Sequence, residues 1–458
     1  MITSPAQGNR VSSHVALFLI LCAAALSSST VVSQERERPT LKNFGSSLDN
    51  LKWDPQRKAA VETKPKEDKA KPSGDVDVVK VETSLVACDV LVLDPRGQTV
   101  QGLTQKDFVL SEDSKPQQVG IFSLGDNATV PRSIVLIIDY STSQFPFINT
   151  SIAAAKMLVD KIAPIDRMAI VTDDVELLQD FTNDKRTLKD KLESLRKRSS
   201  SWDTPNTSSK QHFGRSNQYS ALLATLREMF DEEDQRPIII FQTDGDEAAL
   251  LRNPITVRQV PPNLPKDMRK EAERALSNWQ KDPRNKPREF SLNDVYRAVE
   301  KSRAIIYTVI PGFQLIGLSL DEQIEKMEAE QVRTFQAWNA RLPDHIQTDM
   351  LKRQQDRWAR TPPEARRYEV GEELKVQASL AVVSTLTGGW TEFLEQPSQA
   401  AEIYSRIFSD INRRYIVGYY PTNKEHDGKR RKISIEVRGH PEYVVLGRRS
   451  YLAPEPDQ

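Results

Sequence analysis

Cysteine and histidine are scarce in this chain. Its 458 residues include only two cysteines, Cys22 and Cys88, and five histidines. Because zinc sites are built mainly from these residue types, the scarcity argues against a zinc protein. If Cys22 is removed with an N-terminal leader, one cysteine remains and no intramolecular disulfide can form. Cys88 lies in the strand-like run SLVACDVLVL and is expected to be a buried hydrophobic residue.

An excess of charge and a long apolar run are also missing. Lys plus Arg and Asp plus Glu each number 64, so no overall field attracts the protein to nucleic acid or to an anionic membrane. The run VALFLILCAAAL, residues 15–26, is shorter than the about 20 residues that a transmembrane helix needs. It follows Arg10 and precedes small polar residues, the layout of a secretory signal. We expect a signal peptide over 1–33, cleaved near Ser33, and hence a secreted or periplasmic protein, with an uncleaved anchor as the alternative.

The remaining length predicts two or three domains. Residues 34–74 are rich in Lys, Glu and Pro and predict a disordered linker. Residues 75–128 contain short β-rich runs separated by turns, which predict a small β-module. A module of this size is expected to need contacts with a neighbouring domain for its stability. Residues 413–454, with YIVGYYP, RKISIEVR and YVVLGRRSYLA, predict a C-terminal β-hairpin or small sheet that meets the first module.

Residues 130–412 alternate between strand and helix patterns. The runs SIVLIID, RMAIVTDD, PIIIFQTD and AIIYTVIP are strand-like, and segments with helical spacing separate them. This alternation predicts an α/β fold, a doubly wound and mostly parallel sheet with helices on both faces. Two polar segments, at about 252–288 and 313–368, are expected to be insertions. The second is helical in character and rich in arginine, which indicates a solvated face, with an anion-binding patch as the alternative.

Aspartate and hydroxyl side chains follow two of the predicted strands. In IVLIIDYSTSQF the apolar run ends at Asp139, and Ser141 and Ser143 come next. Asp244 ends the run IIIFQTD, and Ser216 lies in the intervening loop GRSNQYSALLATL. Ligands of parallel α/β sheets bind at the carboxyl ends of strands. Such hard oxygen donors suit Mg²⁺, with Mn²⁺ and Ca²⁺ as alternatives.

The pattern Asp-x-Ser-x-Ser, a later loop hydroxyl and a later Asp resembles the metal-ion-dependent adhesion site of von Willebrand factor type A (VWA) domains. The resemblance covers about 130–412. The flanking runs VLVLDPRGQTVQGLTQKDFVLSED, TGGWTEF and GRRSYLAP resemble the VWFA-related proteins known mainly from Acidobacteria. The resemblance implies a divalent cation held by Asp139, Ser141, Ser143, Ser216 and Asp244. It also implies a protein partner that presents an Asp or Glu to that cation.

One position departs from the family pattern. The loop hydroxyl is usually a Thr preceded by Gly, whereas here Ser216 follows Arg215. Serine keeps the ligand oxygen but lacks the methyl group that restricts χ1. Arg215 also places a positive charge near the cation. We therefore expect weaker metal binding than at a standard site, with no binding in the free protein as the alternative.

Two other functions stay open beside this binding module, which we expect not to be an enzyme. Asp244 and Asp246 in IIIFQTDGD are similar to the motif of Mg²⁺-dependent phosphohydrolases with an aspartate nucleophile. That motif normally begins its domain, and here it lies on a later strand. The other alternative is a metal-free scaffold in which the arginine-rich insertion and the β-modules carry the interface.

Overall fold

The computed structural model describes most of the chain after its first 42 residues. The described residues are 43–63, 85–124, 131–141, 144, 147–200, 217–231, 236–251, 269–270, 273–274, 277, 288–339 and 362–455. The predicted signal peptide over 1–33 lies outside them. Within these ranges, no helix is long and apolar enough to cross a membrane.

The strands and helices are numbered in chain order over the described residues. The strands are β1 (Leu51–Asp54), β2 (Ala59–Glu62), β3 (Val86–Leu93), β4 (Phe108–Glu112), β5 (Lys115–Gln117), β6 (Val119–Leu124), β7 (Arg132–Ile138), β8 (Arg167–Thr172), β9 (Leu177–Thr182), β10 (Arg236–Gln242), β11 (Ile305–Pro311), β12 (Thr391–Leu394), β13 (Tyr415–Tyr419), β14 (Arg430–Val437), β15 (Val444–Leu446) and β16 (Ser450–Leu452). The helices are α1 (Ile148–Lys161), α2 (Lys185–Ser200), α3 (Gln218–Glu228), α4 (Ala248–Leu251), α5 (Leu292–Lys301), α6 (Leu320–Asn339), α7 (Pro363–Leu386) and α8 (Ala400–Arg413).

The main sheet has the strand order β12-β11-β10-β7-β8-β9. Its neighbouring strands run parallel except at the edge, where β9 is antiparallel to β8. Every residue of β7, β10 and β11 is buried, as continuous apolar runs predict for strands covered on both faces. Strands β7 and β10 lie side by side, with Ile138 opposite Gln242 at their carboxyl ends.

A hydrophobic core lies on each face of this sheet. On one face, α1, α2 and α8 pack against inward side chains of β7, β8, β10 and β11. On the other face, α3, α5 and α7 cover the alternate side chains of the same strands. The predicted doubly wound α/β class, with a smaller β region and helical insertions, is therefore confirmed.

The remaining long strands form two four-stranded sheets, ordered β15-β3-β13-β6 and β16-β14-β4-β5. Strand β13 lies between β3 and β6 and pairs antiparallel with both. The two sheets share one core, to which β3, β4, β13 and β14 contribute apolar side chains. The predicted N-terminal module and C-terminal segment thus meet as one β-sandwich.

Arg414 joins this sandwich to the main sheet. Its side chain is fully buried and donates to the carbonyl oxygen of Gly388 at 2.7 Å and to that of Asp89 at 3.2 Å. It also forms an ion pair with Asp410 at 2.8 Å, and the hydroxyl of Tyr307 donates to the same carboxylate at 2.6 Å. Strands of both parts of the protein therefore contact one buried charge cluster.

The structure differs from the predicted disordered linker over residues 43–63. Strands β1 and β2 form an antiparallel pair there, and a 3₁₀ turn at Ser46–Leu48 precedes them. Leu51 is buried in the core beside α3 and α5, and Glu228 accepts hydrogen bonds from the backbone N–H groups of Gly45 and Ser47. Tertiary contacts therefore order a segment whose composition predicts disorder. The rest of 34–74 lies outside the described residues.

The two predicted insertions are described in part. Most of 252–288 lies outside the described residues, whereas Arg288 at its end is included. The second segment, 313–368, contains α6 and the first residues of α7, so its helical character is present where it is described. Residues 340–361 lie outside the described ranges.

Candidate metal centre

Asp139 and Asp244 follow the two central strands of the main sheet. The backbone N–H of Asp139 donates to the carbonyl oxygen of Gln242 at 2.9 Å, which continues the β7–β10 pairing by one residue. Asp244 comes two residues after the end of β10. Because parallel neighbouring strands end at the same edge, both carboxylates lie there, as the sequence predicts.

The carboxylate of Asp139 is buried and has a donor on each oxygen. Its side chain is 1% exposed. The backbone N–H of Ser141 donates to Oδ1 at 2.8 Å, and the hydroxyl of Thr243 donates to Oδ2 at 2.7 Å. The first contact is an Asx-type turn, which folds the loop after β7 back over its own aspartate. Ser141 is thereby held beside Asp139.

The carboxylate of Asp244 is bound in the same manner. The side-chain amide of Gln144 donates to Oδ2 at 2.8 Å, and the backbone N–H of Asp246 donates to Oδ1 at 3.0 Å. We call the loops after β7, before α3 and after β10 the first, second and third loops. Gln144 lies in the first loop, so this contact connects the first loop to the third. Both loops therefore meet at the Asp244 carboxylate.

Gln218, the first residue of α3, lies between the two carboxylates. Its amide nitrogen is 3.3 Å from Oδ2 of Asp139 and 3.3 Å from Oδ1 of Asp244. We call this contact the amide bridge. The buried carbonyl oxygens of Gln218 and Gln144 both lack a hydrogen-bond partner among the described residues. Polar groups from the loops after β7 and β10 and from the start of α3 thus converge on one point.

Electrostatics favour a positive charge at this point. Burial, and after it the nearby negative charge of Asp244, raise the pKa of Asp139 to about 7, although hydrogen bonds from Ser141 and Thr243 act in the opposite direction. The two carboxylates repel each other when both are ionised. A bound cation would remove that repulsion.

A glycine permits the turn between Asp244 and Asp246. Gly245 has φ of 79°, in the left-handed region that other residues rarely adopt. A Cβ at this position would lie 2.7 Å from Cδ1 of Leu380 on α7. Both the backbone conformation and the close packing therefore require glycine here.

Glu247 fixes the third loop against α3. Its fully buried carboxylate accepts from the backbone N–H of Tyr219 at 2.8 Å and from Nε of Arg288 at 2.8 Å. Arg288 also donates to the side chain of Asn217. The end of the first insertion therefore holds the start of α3, and with it Gln218, in position.

Helix α6 of the second insertion flanks the first loop. The guanidinium of Arg333 lies 5.0 Å from the ring centroid of Phe147, the residue that precedes α1. The same guanidinium pairs with Glu330 at 2.8 Å. At least this arginine of the insertion therefore contacts the loop that carries Asp139 and Ser141.

The structure brings together three of the five predicted site residues, namely Asp139, Ser141 and Asp244. Ser143 and Ser216, together with Arg215, lie outside the described residues, so their roles stay predictions. No cluster of three or more His, Cys, Asp or Glu that could hold a metal occurs in the described part of the chain. Two carboxylates with nearby hydroxyl and amide oxygens fit a hard divalent cation better than zinc.

Three polar residues at the site have no counterpart in the sequence predictions. Gln144 and Gln218 contact the carboxylates, and Glu247 supports the loops. Their only sequence signal is that each lies within a few residues of a predicted ligand. A glutamine or glutamate at such a position also occurs on solvated loops, so the sequence alone does not indicate that these three side chains are buried.

Comparison with known proteins gives fold likeness only. No family model matches the chain, and no curated protein matches it. Among solved structures, the von Willebrand factor type A protein from Catenulispora acidiphila is 10% identical, with 77% of this chain and 74% of that chain covered and a TM-score of 0.31. The conserved hypothetical protein BatB from Bacteroides thetaiotaomicron is 14% identical, with 61% and 98% covered and a TM-score of 0.30.

A third structure is that of the manganese-loaded TRAP protein from Plasmodium vivax. It is 12% identical, covers 74% of this chain and 97% of its own, and has a TM-score of 0.27. At these scores the likenesses carry no conclusion about what this chain binds.

Proposed function

We propose that this chain is a VWA-type binding module that uses a divalent cation to dock an acidic side chain of a partner protein. One observation above all supports the proposal. Asp139 and Asp244, 105 positions apart in the sequence, converge on the single amide nitrogen of Gln218 at 3.3 Å each. Mg²⁺ is the first candidate, with Mn²⁺ and Ca²⁺ as alternatives.

Asp139, Ser141 and Asp244 would hold the cation, together with Ser143 and Ser216 if these follow the family pattern. A divalent cation bound by two carboxylates and neutral hydroxyls keeps electrophilic character and supplies a position for one further oxygen ligand. An Asp or Glu of a partner protein provides such an oxygen. The chain's own residues would then set the direction from which the partner carboxylate approaches.

We also propose that the protein acts as a non-enzymatic module outside the cytoplasm. The location rests on the signal-like layout of residues 1–33. The phosphohydrolase alternative depends on Asp246, whose backbone N–H binds Asp244. A variant at this residue therefore separates the two functions.

The test is calorimetric titration of the purified chain with Mg²⁺, Mn²⁺ and Ca²⁺, beside Asp139→Ala and the control Asp246→Ala. We expect saturable one-site binding in the wild type and in Asp246→Ala, and none in Asp139→Ala. Absence of binding by the wild type and by every variant at millimolar ion would contradict the proposal. Release of phosphate from a phosphomonoester, lost in Asp246→Asn, would favour the enzyme.

A partner assay tests the docking step. Immobilised wild-type protein is expected to retain a partner in Mg²⁺ and to release it in EDTA, whereas Asp139→Ala retains none. Binding that is unchanged in EDTA would indicate the metal-free scaffold instead.

A further inference from the structure

A side chain of the protein itself lies between Asp139 and Asp244. We propose that Gln218 gates the proposed site: its amide bridges the two carboxylates and has to withdraw before a cation can contact both. This inference rests on the proposed function and adds a step that limits access of the cation to the site. It concerns a residue that the motif resemblance does not include.

The amide bridge substitutes for a positive charge. Gln218 is fully buried, and its amide nitrogen carries two hydrogens, one for each carboxylate. The two distances are equal, 3.3 Å to Asp139 and 3.3 Å to Asp244. A neutral donor in this position lowers the repulsion between the carboxylates without neutralising them.

The distances also show that a cation and the amide bridge cannot occupy the same position at the same time. Mg²⁺ binds oxygen ligands at about 2.0–2.1 Å and Ca²⁺ at about 2.3–2.6 Å. A nitrogen 3.3 Å from both carboxylate oxygens fills the gap between them. The carboxylates can close around a cation only after the amide has turned aside.

The orientation of the Gln218 amide is energetically unfavourable in one respect, which lowers the free energy needed to turn the amide away. With its N–H groups directed at the carboxylates, Gln218 leaves its carbonyl oxygen buried without a partner among the described residues. Gln144 does the same while it donates to Asp244. An unsatisfied buried acceptor destabilises the arrangement that contains it. Among the described residues, the bridge is therefore held by two amides whose own carbonyl oxygens are unpaired.

The position of Gln218 allows it to move. It is the first residue of α3, and the backbone N–H of the next residue, Tyr219, is held by Glu247. The helix start is thereby fixed, and the glutamine side chain extends from it to the two carboxylates. Withdrawal of the amide needs a change of side-chain rotamer and no movement of α3.

The first experiment compares cation affinity in the wild type, Gln218→Met and the matched control Gln242→Met. Gln242 is equally buried, and its amide oxygen accepts from the hydroxyl of Tyr404 at 2.8 Å, not from the site. Removal of the bridge is expected to lower the Kd for Mg²⁺ by about tenfold or more, because the bridge makes two charge-assisted hydrogen bonds and the loss of one such bond corresponds to about tenfold. Gln242→Met should leave the Kd unchanged. If Gln218→Met does not fold, Gln218→Asn is used, which keeps an amide that is too short to reach both carboxylates.

Equal Kd values in the wild type and Gln218→Met would overturn the gate while the proposed function stands. A higher Kd in Gln218→Met would also overturn it, because the glutamine would then be a ligand. Cation binding by neither protein would overturn the gate and the proposed function together.

A second experiment tests the bridge without any cation. In EDTA, the free energy of unfolding is measured for Gln218→Met, Asp244→Ala and the double variant. Both substitutions remove the contact between Gln218 and Asp244, so their combined cost is expected to be less than the sum of the single costs. Additive costs would mean that the bridge is absent, which overturns the gate whatever the titration gives.

Discussion

Asp139 combines burial with a second carboxylate nearby. Burial alone disfavours its charged form, and Asp244 adds to that effect, so its pKa is raised from the usual 3.8 to about 7. The folded protein without a cation therefore binds a proton at Asp139 more tightly than the unfolded chain does. This difference makes its stability depend on pH.

The stability of the cation-free protein is expected to fall as pH rises through this range. The contribution of Asp139 is fully present below its usual pKa of 3.8 and is lost once pH exceeds its folded value of about 7. One proton gives a slope of at most about 1.4 kcal/mol per pH unit. Urea unfolding in EDTA at stepped pH measures it, with Asp139→Asn as the control that lacks the titrating group. Parallel profiles for the two proteins would contradict the assignment.

The sequence identifies only those site residues whose type and position both carry information. Asp139 and Asp244 each end an apolar run that reads as a strand, and Ser141 follows at motif spacing. Gln218 is the first residue of a helix, and nothing in its neighbours indicates that its amide turns inward between two carboxylates. Its orientation depends on the packing of three separate loops, which the spacing along the chain does not encode.

Strands that are buried on both faces were predictable, whereas the short strands β12, β1 and β2 were not. β7, β8, β10 and β11 are each a continuous apolar run. β12 has four residues, of which two are polar, and it is ordered by pairing with β11. β1 and β2 are equally short and lie in a polar segment. Such elements are stabilised by tertiary contacts and not by their own pattern.

The tie between the first insertion and α3 is expected to matter for stability and for the site. Arg288→Met leaves the buried Glu247 carboxylate without its guanidinium partner. We therefore expect the free energy of unfolding in urea to fall by about 3 kcal/mol or more. The start of α3 should loosen as well, and cation binding should weaken. Lys301→Met is the matched control, because Lys301 pairs with Glu455 where both side chains are more than half exposed. That pair is expected to contribute about 1 kcal/mol or less. Equal losses in the two variants would refute the role of the buried pair.

The whole molecule is held together by strands from opposite ends of the chain. β13 separates β3 from β6, and β14 lies between β4 and β16. Arg414, directly before β13, contacts both the sandwich, at the Asp89 carbonyl oxygen, and the main sheet, at the Tyr307 ring. Residues 41–458 form one compact unit. The strands described within the predicted module, β3 to β6, are therefore only part of a larger β-sandwich.

A chain that ends at Arg413 is expected to lose the sandwich. Without β13 and β14, β3 and β6 have no shared neighbour, β4 loses its pairing with β14, and the shared core loses the apolar side chains of both missing strands. Limited proteolysis should cleave within 85–124 in this variant. A chain that ends at Pro454 keeps every strand and is the control, expected to resist cleavage there. Equal resistance of the two chains would mean that the N-terminal strands are stable alone.

The central position of β13 also sets an order of events during synthesis. The ribosome delivers β3, β4 and β6 first, and the strand that pairs with both β3 and β6 emerges after nearly 300 further residues. Until then the apolar faces of the early strands have open edges available to other chains. The growing polypeptide therefore needs protection, by a chaperone or by the nascent α/β part of the chain, for most of its translation.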